Sequence, residues 1–390
     1  MDAEPRVTAY AHAVHTNGGM ERAQREVIVG LLQRGWRVRV VARTVDLPSH
    51  EQLEIVRVRI PARPAPFEQL AFAARAPRLQ RGPADVVTSL GAIVAWPVDV
   101  VIVQYVNRAA RGMRAASGST VQRTLRRVNN AVNHELAVGL ERWCYRPGRV
   151  ERFLPVSAPL RDGLAANSVW CGAASVVVPN GVDPVQFAPD EAVRVRTRDA
   201  HGIERAALVA VFVGGDWERK GLGPAIAALV LATDWHLLVV GRGEPAPYLD
   251  EARRLGCADR VHFVGETHDP APSLTAGDAF VLPTRYEGFP LSALEAAATG
   301  LPLLLTREAN ADGLLYDGET GFLVQRDAAS IAAGLEGLSD PRRRAQIGQA
   351  ARRVALRFSW AQIVSRHIDV YTEILAARSA GGVARAGSGA

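Results

Sequence analysis

Short β-branched runs alternate along the chain with longer segments of helical periodicity, the pattern of βαβ units and mostly parallel sheets covered by helices on both faces. In the first part, strand-like runs fall at residues 6–11, 37–42, 54–60, 85–89, 99–104 and 152–156. Between the first two, residues 20–33 bring Val27, Ile28, Leu31 and Leu32 onto one helical face, and Gly35 follows as a helix-ending residue. Asn180-Gly181 is a strong turn dipeptide, after which the pattern restarts. Strands are expected at 208–214, 236–240, 261–264, 279–282 and 301–306, with helices at 223–232, near 247–255 and at 291–299. A terminal helix over roughly 360–376 presents Ile363, Ile368, Tyr371 and Ile374, and the glycine-rich segment behind it reads as disordered. The prediction is an α/β chain with two doubly wound, Rossmann-like domains at residues 1–177 and 178–358, a helix at 359–378 and a tail at 379–390. Ligands of such sheets bind outside the carboxyl ends of the strands, so the loops that follow strands are where chemistry is sought.

Composition narrows the class. With 390 residues and a hydrophobic fraction of 48%, the chain can bury proper cores, and fibrous and disordered classes are excluded. Cys144, Cys171 and Cys257 stand far apart without CxxC spacing or a histidine cluster, which argues against a disulfide framework or zinc site and for a reducing compartment. The opening MDAEPRVTAY lacks the basic and apolar regions of a signal peptide, so a cytoplasmic location is expected. The longest apolar stretch, 91–106, is broken by Pro97 and Asp99, which suits buried strands and not a bilayer span.

Net charge is +6, and the excess lies in the first half, where residues 1–180 hold 24 arginines against 14 acids. Arg108, Arg111, Arg114, Arg123, Arg126, Arg127, Arg142, Arg146 and Arg149 concentrate it in a segment that reads as helical. Such a segment admits a phosphate-bearing partner, peripheral contact with an anionic membrane, or simply a solvated helix face. No aromatic side chains interleave with the arginines, so nucleic acid is not expected as a partner.

Lys220 is the only lysine in a chain whose other cations of that class are all arginines. A lone lysine suggests a position that needs a compact ammonium with three rotatable donors and not a planar fork. It follows Arg219 in FVGGDWERKGLGPAI, directly after a strand and before a helix, where two cations suit a diphosphate. A second feature is TRYEGFPLSALEAAATGLPLL, with Glu287 and Glu295 separated by seven residues. Pro290 is a natural first helical residue, which would leave the N–H groups of Leu291 and Ser292 and the helix dipole facing an anion. A carboxylate accepts from two sugar hydroxyls at once, so the two glutamates fit a ribose and a hexose, whereas Glu295 taken alone reads as an ordinary helix-surface glutamate. HTNGGMERA sets Gly18 and Gly19 between the first strand and first helix, where backbone can approach a phosphate closely. His12 and His15 read as packing or surface residues. Finally, VVGRGEPA offers Gly241, Gly243 and Ala246 in a G-x-G-x-x-A pattern, so a nicotinamide dehydrogenase has to be considered, although the pattern does not open its sheet and Glu266 is the sole ribose-binding candidate.

Taken jointly, these residues resemble the retaining nucleotide-sugar glycosyltransferases of glycosyltransferase family 4, which have the GT-B fold of two Rossmann-like domains facing an interdomain cleft. The resemblance is carried by the Gly-Gly loop, VPNGVDPVQF, the Arg-Lys-Gly loop, VVGRGE, VHFVGE, the paired glutamates and DGETGFLV, in that order. It implies that Arg219 and Lys220 grip the donor diphosphate and that Glu295 bonds the ribose hydroxyls. It further implies that Glu287 lies beside the transferred sugar, with the peptide groups of Gly288, Phe289, Pro290, Leu291 and Ser292 contacting sugar and phosphate, and that Gly18 and Gly19 close over the phosphate. The terminal helix in such folds crosses back to the first domain. Two departures stand out: Gly214-Gly215-Asp216 replaces a common arginine, and Gln104 replaces a common histidine on the acceptor side, where it can bond a hydroxyl but not exchange protons.

The activity implied is transfer of a hexose-type sugar from a nucleoside diphosphate donor to an unidentified hydroxyl acceptor, a lipid, glycan or natural product. No aspartate pair for a dedicated metal is visible, so metal independence is expected, with no cofactor beyond the donor substrate. A nucleotide-sugar epimerase of the same fold and a non-catalytic nucleotide-sugar or membrane-surface binding protein are the rivals. Acceptor choice falls to loops at 61–81 and 108–124, which carry no readable code.

Overall fold

The computed structural model describes residues 4–60, 65–79, 82, 84–107, 132, 134–166, 173–311 and 313–387. The chain divides into two compact units. One holds the described residues up to Asn180 together with those from Trp360 onward, and the other is Gly181–Ser359.

In the first unit the strands are β1 (Arg6–Tyr10), β2 (Ala13–Val14), β3 (Arg37–Ala42), β4 (Thr44–Val45), β5 (Leu53–Arg57), β6 (Asp85–Leu90), β7 (Val98–Val103), β8 (Val150–Pro155) and β9 (Ala174–Ser175). Seven form a parallel sheet in the order β5-β3-β1-β6-β7-β8-β9, while β2 and β4 make a small sheet of their own. The order runs outward in both directions from β1 and β6, the doubly wound arrangement whose ligands lie where the winding reverses. Central strands of such sheets are covered on both faces and read as continuous apolar runs, as in β7, which is buried throughout. Asp99 is tolerated inside β7 because its Oδ2 accepts from the backbone N–H of Val87 at 2.7 Å and its Oδ1 pairs with Arg378. The sequence therefore marks a buried, paired acid where a membrane span would have none.

The second unit holds β10 (Leu208–Val213), β11 (Trp235–Val240), β12 (Val261–Gly265), β13 (Ala279–Leu282), β14 (Leu303–Leu305) and β15 (Gly321–Leu323) in the order β12-β11-β10-β13-β14-β15. Its winding reverses between β10 and β13, which pair directly through Ala210 with Ala279 and Val211 with Phe280. The Glu191–Ala200, Ala328–Glu336 and Pro341–Ala355 helices, outside the predicted set, each begin at an aspartate whose carboxylate accepts from backbone amides of the first turn.

The terminal helix, Trp360–Gly387, belongs to the first unit, where Ile363, Val364, Tyr371 and Ile374 join the core beside α1 (Gly19–Gln33). It continues to Gly387, through most of the segment expected to be disordered from 379. The added residues, SAGGVARAG, hold as many glycines as alanines, so their own propensity does not drive the extension; they add turns to a helix already nucleated, and nucleation is the expensive step. Residues 388–390 lie outside the described ones. Cys144 and Cys257 are buried free thiols, and Cys171 is outside the described residues.

Candidate functional site

The two loops on either side of the reversal in the second unit carry the residues singled out by sequence. After β10 the chain passes through Gly214 and Gly215 to Asp216, which sits at φ 52°, the one non-glycine residue with positive φ among the described residues. The short Trp217–Lys220 helix follows and ends on Gly221 at φ 89°. After β13 the chain runs through Pro283 to Pro290 into the Leu291–Ala298 helix.

These loops meet at Glu287. Its Oε1 is 3.1 Å from Nη1 of Arg219 and 3.1 Å from Nζ of Lys220, so one carboxylate oxygen holds both cations. Nε of Arg219 is 2.8 Å from Oδ2 of Asp216, and Nη1 also donates to the carbonyl of Tyr286. The backbone N–H of Arg285 donates to the carbonyl of Arg219 at 3.1 Å, which ties the loops together directly. Burial alone would push the Glu287 carboxyl up, but Lys220 and then Arg219 more than offset it and hold it below the usual carboxylate range. Burial likewise works against the charge of Arg219, and the Glu287 and Asp216 carboxylates raise its pKa overall. Side-chain exposures of 21% for Arg219 and 13% for Lys220 and Glu287 leave the cluster shielded without closing it off.

Missing side chains make this packing possible. A Cβ at Gly214 would lie 2.7 Å from Cδ and Cε of Lys220, so the lysine stem lies across bare backbone at the end of β10. A Cβ at Gly221 would fall 2.3 Å from the carbonyl oxygen of Pro283. The glycines of VVGRGE serve the same end. Gly241 is where the carbonyl of Gly214 presses in, at 2.4 Å from a built Cβ, and Gly243 is covered by the indole of Trp217 at 2.4 Å. Protein atoms thus fill the space that a dinucleotide-binding turn would leave for a pyrophosphate, and the dehydrogenase reading loses its physical basis.

Pro290 is the N-cap residue of the Leu291–Ala298 helix and not its first helical residue, because its ψ of 99° is extended. The helix's own bonds begin with the N–H groups of Ala293 and Leu294 on the carbonyl of Pro290, which leaves Leu291 and Ser292 outside that pattern, as expected of a first turn. The Phe289 ring packs against Phe358 at a centroid distance of 6.0 Å, so only its peptide group remains for a ligand. Glu295 is 3% exposed and lies inside the unit, not on a helix surface.

The remaining predicted residues belong to the first unit. Gly18, at φ 83°, is the N-cap of α1, and the carboxylate of Glu21 occupies the space a Cβ would need at 2.4 Å; Gly19 opens the helix. Gln104 forms a reciprocal amide pair with Asn180, donating at 2.7 Å and accepting at 3.0 Å, which leaves one N–H and one lone pair of its amide for other partners. His12 packs tilted against Phe72, with ring centroids 4.7 Å apart, and burial followed by Arg43 lowers its pKa to about 4. Of the basic segment, Arg108 to Arg127 and the 108–124 loop lie outside the described residues, as does part of the 61–81 loop; Arg142 and Arg146 are exposed. Asp216, Thr284 and Arg326 were not legible as site residues. Thr284 Oγ1 lies 3.5 Å from Oε1 of Glu287, and Arg326 Nε donates to the carbonyl of Pro283 at 3.1 Å.

Two parallel sheets wound in this order, with a cationic loop at the reversal of the second, are the architecture of GT-B glycosyltransferases. The fold is shared with WaaG, a glycosyltransferase involved in lipopolysaccharide biosynthesis, at a TM-score of 0.75 and 21% identity over 94% of this chain and 99% of that one. The chain belongs to the glycosyltransferase group 1 and family 4 class: residues 17–186 match the model for Glycosyltransferase Family 4 and residues 207–340 that for Glycosyl transferases group 1. It is 35% identical over 213 residues, 49% of this chain and 54% of the relative, to the GDP-mannose-dependent alpha-(1-6)-phosphatidylinositol monomannoside mannosyltransferase of Mycolicibacterium smegmatis. It is 31% identical over 223 residues, 52% of this chain and 48% of the relative, to the D-inositol 3-phosphate glycosyltransferase of Acidothermus cellulolyticus. The chain thus spans about half the length of these curated relatives.

Proposed function

We propose that the protein transfers a hexose-type sugar from a nucleoside diphosphate donor to an acceptor hydroxyl, with retention at the anomeric carbon and without a metal ion. The observation that carries this reading is the shared grip of Arg219 and Lys220 on Glu287 at the reversal point of the second sheet. Each cation keeps donors in reserve. The ammonium has three N–H groups and the guanidinium five, and among the described residues Nη2 of Arg219 has no partner, so a diphosphate can be bound without breaking the cluster.

In this reading the bond from the anomeric carbon to the diphosphate oxygen breaks as the acceptor oxygen approaches on the same face. The electron pair leaves with the diphosphate, whose growing charge Arg219, Lys220 and the first amides of the Leu291–Ala298 helix stabilise. The acceptor oxygen bonds to the anomeric carbon and its proton passes to the departing oxygen, so no protein base is required. Glu287, held ionised by its two cations, lies beside the sugar as it becomes oxocarbenium-like. Glu295 takes the ribose hydroxyls.

Lys220→Ala is expected to lower turnover by orders of magnitude while leaving the fold, read by circular dichroism, intact. Full activity in that variant would defeat the assignment. Glu295→Gln is expected chiefly to weaken donor binding, read by calorimetry, and an unchanged donor affinity would remove its ribose role. Peripheral contact with an anionic membrane at the cytoplasmic face remains part of the reading through the exposed Arg142 and Arg146. Among the described residues no helix is long and apolar enough to cross a membrane.

A further inference from the structure

Beside the Glu287 cluster, a cavity of about 260 Å³ opens at the carboxyl ends of β13, β14 and β15. Its wall includes Thr284, Arg285, Thr306, Arg307, Glu308 and Arg326, three cations against one carboxylate. Arg326 is fixed by donating to the carbonyls of Pro283 and Glu218, and burial, followed by the nearby Arg285, lowers its pKa. Arg285 and Arg307 are exposed and, among the described residues, have no acidic partner within ion-pair distance. Gathering like charges at strand ends costs free energy unless an anion joins them. Guanidinium forks match the oxygens of a phosphate two at a time, while the buried hydroxyls of Thr284 and Thr306 on the same wall give their protons to backbone carbonyls and leave the anion to the arginines. The volume falls just below the ~300 Å³ at which ligand pockets generally begin, which suits a phosphate with a few attached atoms and not a nucleotide.

We propose that this cavity is a second anion site, separate from the Arg219–Lys220 grip, and that it receives a phosphate group carried by the acceptor. Thr284 joins the two sites, since its Oγ1 is 3.5 Å from Oε1 of Glu287, so a phosphorylated acceptor held here would lie next to the transferred sugar. The naming of the acceptor as carrier rests on the glycosyltransferase reading, whereas the anion site rests on the cavity and its arginines.

The test titrates the full chain with inorganic phosphate and with glycerol phosphate by calorimetry, in the wild type and in Lys220→Ala. Both probes should bind, the phosphate monoester more tightly, and Lys220→Ala should leave them unaffected. The Arg285→Ala/Arg307→Ala variant should lose at least about tenfold in phosphate affinity, since each charge-assisted hydrogen bond is worth roughly 1.5–3 kcal/mol. Glu308→Gln should tighten both probes, an effect that mere loss of packing would not produce. Absence of phosphate binding in the wild type, its loss in Lys220→Ala, or its persistence in the double arginine variant overturns the proposal. Tighter binding of free phosphate than of the monoester overturns the acceptor as its carrier. Uridine and guanosine diphosphate, titrated alongside, separate the two readings: if neither binds while phosphate does, the donor assignment falls and the anion site stands.

Discussion

Asp216 shows how much of a site can rest on one backbone torsion. At φ 52° it holds a conformation in which a Cβ crowds the carbonyl, and that turn delivers its carboxylate to Nε of Arg219. Asp216→Ala is therefore expected to melt below Asp216→Gly, by about 1 kcal/mol, because only glycine adopts this region without steric cost. Equal melting temperatures for the two variants would show that the torsion is not strained. Lys220 stood out in the sequence by being alone among arginines, and the glutamate pair by its spacing. Asp216 did not, because nothing in GGDWERK distinguishes an aspartate that caps a helix from one that bends the chain backwards.

At the scale of elements, the packing of α1 on the terminal helix depends on Gly30. A Cβ built there would lie 2.5 Å from Cγ2 of Val364, a β-branched side chain with little freedom to turn aside. Gly30→Ala gains up to about 1 kcal/mol of helix propensity, yet overpacking typically costs about 1–3 kcal/mol, so a net loss of stability is expected in thermal melts. Val364→Ala added to that variant should restore part of it, and a stabilised single variant would show that the helices slide apart freely. The core strands were legible because covered parallel strands leave unbroken apolar runs, as 208–213 and 279–282 do. The two-residue strands β2, β4 and β9 are too short to show any period. The Pro341–Ala355 helix went unpredicted although Asp340 precedes Pro341, because a cap is a local signal that only a finished helix makes specific.

Across the molecule, the first unit is the one expected to be more sensitive to acid. Its His367, buried in the terminal helix 3.2 Å from the Tyr371 hydroxyl, has its pKa lowered by burial to about 4. Because the folded value lies below the ordinary 6.5, its stabilising share is complete above pH 6.5 and is lost as pH falls from there toward about 4. At pH 5 the loss is about 2 kcal/mol from this residue alone, and His12, likewise lowered to about 4, acts in the same direction. Hydrogen exchange at pH 7 and pH 5 should show amides of the first unit losing protection first, with His367→Leu recovering part of the difference. Uniform loss in both units would contradict this. In the second unit the Glu287 carboxyl, lowered below 4.5, keeps its ion pairs until the solution is more acidic still.

The alternation of apolar runs and helical periods determined the fold class and the members of the cationic loop, because each is a matter of which side chains follow one another along the chain, whereas Asn180-Gly181 forms no turn and only marks where one unit ends and the next begins. Pairing, orientation and depth were decided only in three dimensions. The meeting of Lys220 and Glu287 spans 67 positions, and it exists because β10 and β13 are neighbours and Gly214 and Gly221 let their loops close to contact distance. The same holds for Glu295, whose burial follows from the sheet behind its helix, and for Gln104, whose amide is shared with a residue 76 positions away.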